Sequence, residues 1–267
     1  MNTVISGTIA ILLYFAGGLI QLAGLKREIP SKRSIVIVAG ILAVIAHGFF
    51  SYQEIYTQAG INMGFFAMAT VISLAIAAIV MLSSLRRPVE NLFIFLFPLA
   101  MITIILALIE KDTYQPRTNL SAGILIHIVL SIIAYSLITI AAFQAIFLSF
   151  GDYELKHRKL GILKNLPPLQ TLESLLFEML WFGLLFLSLS IVSGFIFFEE
   201  VSSQPGLIHH TIITLSAWVV FAVLLWGRYR LGWRGAVASR WTLAGFVLLA
   251  IGYFGTKFVL QMVLGRV

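Results

Sequence analysis

The sequence predicts an all-α protein, a polytopic membrane helix bundle with about eight transmembrane helices. Two observations predict this class. Of the 267 residues, 60% are hydrophobic and only 11% are charged, whereas soluble proteins are usually about 25% charged. The apolar residues are also gathered into runs of about 20 residues, the length that a helix needs to cross a hydrocarbon core of ~30 Å.

Short polar connections separate the apolar segments, and no internal repeat or low-complexity linker divides the chain. Residues 1–267 are therefore expected to form a single transmembrane domain. The fifth segment is long enough that it must tilt in the bilayer or project from it. The predicted segments are Val4–Gly24, Ser34–Gln53, Met63–Leu85, Leu92–Ile109, Ser121–Phe150, Leu172–Phe198, Leu207–Trp226 and Trp241–Leu264.

Lysine and arginine predict the orientation of these segments. The odd-numbered connections carry fourteen of them and the even-numbered connections carry two. The positive-inside rule therefore places the odd connections in the cytoplasm and both the N- and C-termini outside. The net charge of +7 lies mostly in these short loops, where it meets anionic lipid headgroups, so we expect the lipid bilayer as a partner and no nucleic acid.

Several classes of chemistry have no support in the sequence. The chain has no cysteine, which excludes disulfides, thiolate metal sites and covalent haem attachment through a CxxCH motif within it. Phosphate-binding P-loops, GxSxG and HExxH motifs and dinucleotide-binding glycine loops are absent as well. We recognise no catalytic constellation, and no catalytic residue is predicted.

The fifth segment contains the first candidate for a site. Helical spacing places Gly123, His127, Ser131 and Tyr135 on one stripe, while the rest of the segment is rich in isoleucine, leucine and valine. A titratable ring in hydrocarbon is costly. We therefore expect the stripe to face protein, a cofactor or water rather than lipid.

A second membrane histidine lies at a similar predicted depth. His47 and His127 are each about six residues from the predicted outer end of their segment, or ~9 Å at the helical rise. Gly40, Ala43 and Ser51 share the helix face of His47, and small residues leave room for close helix approach or a flat cofactor. The pair could ligate one metal from opposite sides; alternatively, each ring only forms a hydrogen bond across helices.

The remaining histidines lie nearer to water. His209 and His210 begin the seventh segment, near the predicted outer interface. Imidazole is a common metal ligand, so His209 is a candidate outer ligand; the alternative is a pair of solvated interfacial side chains. His157 lies in a basic connection and is expected to be solvated.

Three stretches carry a resemblance to a known family. The run Ala-Gly-Ile-Leu-Ile-His127-Ile-Val-Leu-Ser131-Ile-Ile-Ala-Tyr135 resembles the histidine-bearing helix of the cytochrome c assembly (haem-handling) membrane proteins. Residues 166–177, Leu-Pro-Pro-Leu-Gln-Thr-Leu-Glu-Ser-Leu-Leu-Phe, and 226–235, Trp-Gly-Arg-Tyr-Arg-Leu-Gly-Trp-Arg-Gly, are similar to the short eight-helix branch of that family. The resemblance covers nearly the whole chain.

The resemblance implies that haem is bound or handled at the outer side of a bacterial inner (plasma) membrane. His47 and His127 match the family's membrane histidines, as axial ligands of a non-covalent, b-type haem or as ligands between which haem passes. His209 falls near an outer histidine of the larger members. Partners implied by the family are haem-delivery or cytochrome c assembly proteins.

One departure from the larger members narrows this expectation. They carry a tryptophan-rich outer segment that presents haem to apocytochrome, but residues 199–206 contain no tryptophan. The sequence therefore favours haem binding or relay over attachment. The alternatives are a membrane transporter or metal-ion accessory protein without haem, for which the mid-helix Pro98 is weak support, and a scaffold for a membrane partner.

Overall fold

A computed structural model describes residues 2–26, 33–87, 89–110, 115–118, 120–157, 167–197 and 207–263. Nearly all of this part of the chain is helical, and eight of its helices are long and apolar enough to cross a membrane, which confirms the predicted fold class. The helices are α1 Thr3–Lys26, α2 Arg33–Ile55, α3 Phe65–Ser84, α4 Phe93–Ile109, α5 Ala122–Lys156, α6 Leu169–Ile196, α7 Leu207–Leu231 and α8 Gly235–Ala250.

Apolar side chains cover the outside of the helices. On α2, Val38, Ile45 and Phe49 are exposed, whereas Gly40 and His47 are buried on the opposite face. Large apolar side chains are stable on a surface that faces lipid, and polar side chains are placed inside when no water surrounds the protein. The predicted grouping of small residues with His47 on one helix face is therefore confirmed, and that face is buried.

The helices form two compact units. In the first unit, α1 packs against α2 and α4, and α3 packs against the same two helices. In the second unit, α5 packs along α6 and against α8, and α7 packs against α6 and α8. That the whole chain acts as a single domain stays a prediction.

A short β-hairpin follows α2 in the first unit. β1 (Tyr56–Thr57) pairs antiparallel with β2 (Gly60–Ile61), and backbone hydrogen bonds of 2.9 and 3.1 Å join Ile61 to Arg117. Gly60 has φ +128°, and a Cβ atom there would lie 2.7 Å from the Arg117 carbonyl oxygen. Glycine is needed because this backbone conformation and this close approach both exclude a side chain.

Several helices extend beyond the predicted apolar segments. α5 continues to Lys156 rather than Phe150, α7 continues to Leu231 rather than Trp226, and α8 begins at Gly235 rather than Trp241. Hydropathy marks the part of a helix that lies in hydrocarbon, whereas backbone hydrogen bonding continues into polar residues. The connection between α7 and α8 is therefore only three residues long.

The last helix is irregular at its C-terminal end. From Ala250 the helix continues through a π-helical turn at Ile251–Gly255, a short α-helical stretch at Thr256–Phe258 and a second π-helical turn at Val259–Val263. Such turns are rare and often occur at functional sites, because they change which side chains face a neighbouring helix.

Candidate functional site

His47 is completely buried in the first unit, at 0% exposure. Its Nδ1 lies 3.2 Å from the Tyr14 hydroxyl oxygen of α1. The backbone of Thr70 lies close to the ring, yet Nε2 has no hydrogen-bond partner within the described part of the chain. One ring nitrogen is therefore held by Tyr14, and Nε2 is buried without a hydrogen bond.

Aromatic rings fix the position of the Tyr14 side chain. Its ring meets His47 edge-on with centroids 5.8 Å apart, and it packs at 5.2 Å against Phe97 of α4. Phe97 in turn stacks on Phe93 at 4.8 Å. Because a well-packed core restricts side-chain rotation, this arrangement keeps the hydroxyl group against the imidazole.

His127 is half-buried in the second unit, on the face of α5 that packs against α6. Its Nδ1 lies 2.9 Å from the Ser190 carbonyl oxygen and 3.0 Å from the Ser193 hydroxyl oxygen. One turn further along, the Ser131 and Ser190 hydroxyl groups are 2.7 Å apart. The predicted polar stripe on α5 therefore faces protein, and it meets a matching row of serines on α6.

These contacts determine which nitrogen of His127 carries the proton in the neutral ring. A carbonyl oxygen can only accept, so the Nδ1–H group must donate to Ser190. The Ser193 hydroxyl group donates its own hydrogen to the same carbonyl at 2.8 Å, which leaves its oxygen able to accept from Nδ1–H as well. The Nε2 lone pair of the neutral ring is consequently directed away from these bonds.

Close packing also fixes the plane of the His127 ring. A Cβ atom on Gly194 would lie 3.1 Å from Cε1 and 3.4 Å from Nδ1 of this ring. At the other end of the stripe, the Phe197 ring lies against Gly123. Glycine at these two positions allows α5 and α6 to approach closely enough for the hydrogen bonds to form.

The predicted ligands do not all lie in the same unit of the structure. His47 belongs to the first unit and His127 to the second, so the shared site between them stays a prediction. His209 is in α7, but its side chain lies outside the described residues. Its neighbour His210, which the prediction did not select, lies within electrostatic range of His127 in the second unit.

Charged side chains from distant parts of the chain form a cluster at the opposite end of the second unit. That these side chains meet was not predicted from the sequence. The Glu173 carboxylate accepts from Arg228 at 2.8 Å and from Arg234 at 2.9 Å. Its other oxygen accepts from the Gly235 backbone at 3.3 Å, and Arg228 lies over the Phe177 ring at 4.5 Å. Glu173 therefore ties the start of α6 to the connection between α7 and α8.

The side chains that could ligate a metal limit the kinds of metal site that the described residues can form. No group of three or more histidine, cysteine, aspartate or glutamate side chains within them could hold a bare metal ion. Haem iron makes a smaller demand, since the porphyrin supplies four nitrogens and the protein needs to supply only one or two axial ligands. A histidine with one nitrogen held and the other free suits that role.

The fold and these side chains define the class of the protein. It is a polytopic helical membrane protein with one membrane histidine in each of two helical units, buried in the first and half-buried in the second, and each is held through Nδ1. A family model described as Cytochrome C assembly protein matches residues 35–264, and the chain therefore belongs to the cytochrome c assembly protein family.

Curated relatives agree with this membership. The chain is 28% identical over 257 residues to "Inner membrane protein YpjD" of Escherichia coli K12, covering 96% of this chain and 97% of that protein. It is 28% identical over 207 residues to a 28.8 kDa protein of Azospirillum brasilense, covering 74% and 76%. "Protein HemX" of Brevibacillus brevis is 31% identical over 140 residues, 49% of each chain. No solved structure matches the chain.

Proposed function

We propose that this protein binds or relays haem in the bacterial inner membrane through its membrane histidines. The observation that carries the proposal is the hydrogen bonding of His127, whose Nδ1–H donates to Ser190 and leaves Nε2 as a neutral ligand. Family membership supports it, as does similarity to a relative named as an inner membrane protein. Without cysteine, a haem held by this chain would be non-covalent and b-type.

His127 has the surroundings of an iron ligand. Histidines that bind metals usually donate their second N–H to a carbonyl or carboxylate, which orients the ring and makes the ligating nitrogen more basic. The Ser190 carbonyl provides this acceptor at 2.9 Å, and Ser193 adds a second at 3.0 Å. Bound haem would supply the iron, and the protein would hold the ring in one tautomer.

His47 is proposed as a ligand in its own right. Its orphaned Nε2 is buried, and leaving a buried polar atom unsatisfied costs about 1–3 kcal/mol. An iron atom at Nε2 would remove this cost, and Nδ1–H would then donate to the Tyr14 oxygen. His209 remains proposed as an outer ligand on the sequence prediction alone.

Binding or relay fits this chain better than attachment of haem to a cytochrome. Residues 199–206, the segment predicted to lie outside, contain no tryptophan with which to present haem. Haem-delivery or cytochrome c assembly proteins are the proposed partners, because haem that is relayed must be received from one protein and passed to another.

An absorption spectrum tests the proposal. The detergent-purified protein from haem-replete cells should show a Soret band, with sharpened visible bands on reduction. His127→Ala should remove most of the band, and His47→Ala should reduce it, because each change deletes an axial nitrogen. His157→Ala is the matched control, since this histidine is exposed and its ring contacts Tyr153 of its own helix.

The outcomes separate the candidates. Absence of a Soret band in the folded wild-type protein, or an unchanged band in both His47→Ala and His127→Ala, would refute haem ligation by these residues. A deletion strain with altered metal tolerance but a normal haem content would then favour the metal-ion accessory function.

A further inference from the structure

The irregular end of α8 places a lysine against an aromatic ring in the second unit. Lys257 Nζ lies 5.3 Å from the centroid of the Tyr253 ring, and Lys257 is half-buried near the end of the span Gly235–Phe258. A cation in an apolar span usually marks a functional position or pairs with a partner, and attraction to the Tyr253 ring contributes about 0.5–2 kcal/mol.

His210 of α7 reaches the same ring from another helix. The His210 and Tyr253 ring centroids are 6.3 Å apart, and His210 lies within electrostatic range of both Lys257 and His127. His210 therefore lies near both the lysine and the proposed iron ligand.

Tyr135 of α5 adds an unsatisfied hydroxyl group to this cluster. Its ring centroid lies 6.0 Å from that of Tyr253 and 5.5 Å from that of Phe254. Tyr135 is only 8% exposed, and its hydroxyl group has no hydrogen-bond partner within the described residues. Buried hydroxyl groups are almost always bonded, so this orphan marks a position where a bound molecule would find a hydrogen-bonding partner.

We infer that Lys257, His210, Tyr253 and Tyr135 form a subsite for the carboxylates of a flat, hydrophobic ligand, the propionates of a porphyrin. This inference rests on the proposed function, because it adds a second recognition element beside His127. Lysine, histidine and tyrosine can all donate hydrogen bonds to a carboxylate, and the Tyr253 and Phe254 rings form an apolar wall. A lysine repels cations, so the group that it contacts in a ligand should be anionic.

The test compares haem with haem dimethyl ester, in which both carboxylates are capped. Each is titrated into the detergent-purified, full-length protein and followed by its Soret band. The wild-type protein should bind haem at least ~10-fold more tightly than the diester, the loss expected for a charge-assisted hydrogen bond. Lys257→Gln should reduce this preference to about twofold with the diester affinity unchanged, because the diester cannot use the lysine charge.

Matched variants control for structural effects. Lys257→Arg should keep the preference, and Lys156→Gln, which removes an exposed lysine on α5, should leave it unaltered. If Lys257→Gln fails to fold, Tyr135→Phe provides the second variant and should lower the preference about threefold by removing one hydrogen-bond donor.

The failures of the two proposals are distinguishable. A clear Soret band with equal wild-type affinity for haem and diester would overturn the carboxylate subsite and leave the histidine ligation standing. If no Soret band forms, metal-free protoporphyrin and its dimethyl ester are compared by fluorescence. A preference for the free acid that depends on Lys257 would then support the subsite without iron ligation, and equal binding would overturn it.

Discussion

Neutralising Glu173 should destabilise the second unit by about 2–3 kcal/mol. The Glu173 side chain is only 9% exposed, and its carboxylate balances two arginines, Arg228 at 30% and Arg234 at 61% side-chain exposure. In Glu173→Gln the shape is kept but the charge is lost. Two guanidinium groups then share one neutral oxygen, and the amide meets the Gly235 N–H, which now lacks its acceptor.

Most of the expected loss in unfolding free energy comes from the more buried pair, Glu173 with Arg228. A hydrogen bond to a charged partner contributes about 1.5–3 kcal/mol, and this range applies to Arg228, which also donates to the Trp233 carbonyl at 3.2 Å. The Arg234 contact is largely exposed and adds about 0.2–1 kcal/mol. Glutamine retains weak hydrogen bonds to both arginines, so the loss for Glu173→Gln stays below the ~3–5 kcal/mol of a broken buried pair.

The assay is reversible unfolding in mixed micelles, followed by circular dichroism as the fraction of denaturing detergent rises. Lys156→Gln is the control, because it breaks an exposed Lys156–Asp152 pair of the same 2.8 Å length and should cost at most about 0.5 kcal/mol. Equal midpoints for Glu173→Gln and Lys156→Gln would refute the assignment of Glu173 as the anchor of the α7–α8 connection.

Two glycine substitutions test close packing in the two units. Gly194→Ala should weaken haem binding about tenfold, because its Cβ atom would lie 3.1 Å from the His127 ring; the Soret titration measures this, and Gly48→Ala, which meets nothing within 4 Å, is the control. An unchanged haem affinity in Gly194→Ala would show that the ring orientation does not matter. Gly60→Ala should destabilise the first unit by about 1–3 kcal/mol through backbone strain and a clash with Arg117, and an unaltered unfolding midpoint would contradict that reasoning.

The part of the fold that depends on local pattern could be predicted from the sequence. Runs of apolar residues identified all eight helices, and helical spacing identified the face of α5 that carries His127 and Ser131, since both follow from regular geometry. The hairpin at Tyr56–Ile61 was missed because two-residue strands leave almost no pattern in the sequence.

Contacts between helices could not be predicted in the same way. Ser190 and Ser193 contact His127 only because α5 and α6 pack in one particular register. That register cannot be deduced from a single amino-acid sequence. The ion pair of Glu173 with Arg228 and Arg234 spans more than fifty residues of chain, and each residue alone resembled an ordinary interfacial charge. Serines spaced three residues apart on α6 were a usable signal, since they marked a polar stripe opposite that of α5.

The two membrane histidines differ in how strictly their hydrogen bonds determine the tautomer of the neutral ring. For His127, the acceptor at Nδ1 is a backbone carbonyl, which has no hydrogen to give, so the neutral ring has a single tautomer before any ligand arrives. For His47, the partner is the Tyr14 hydroxyl group, which can donate or accept. If Tyr14 donates, the neutral ring carries its proton on the buried Nε2, and that proton must move to Nδ1 before a metal can bind. In the proposed haem site His127 would thus be the preorganised ligand, whereas His47 would first have to lose the proton at Nε2 and gain one at Nδ1, while the Tyr14 hydroxyl group turns from donor to acceptor. Such a difference would suit the proposed relay of haem better than its storage.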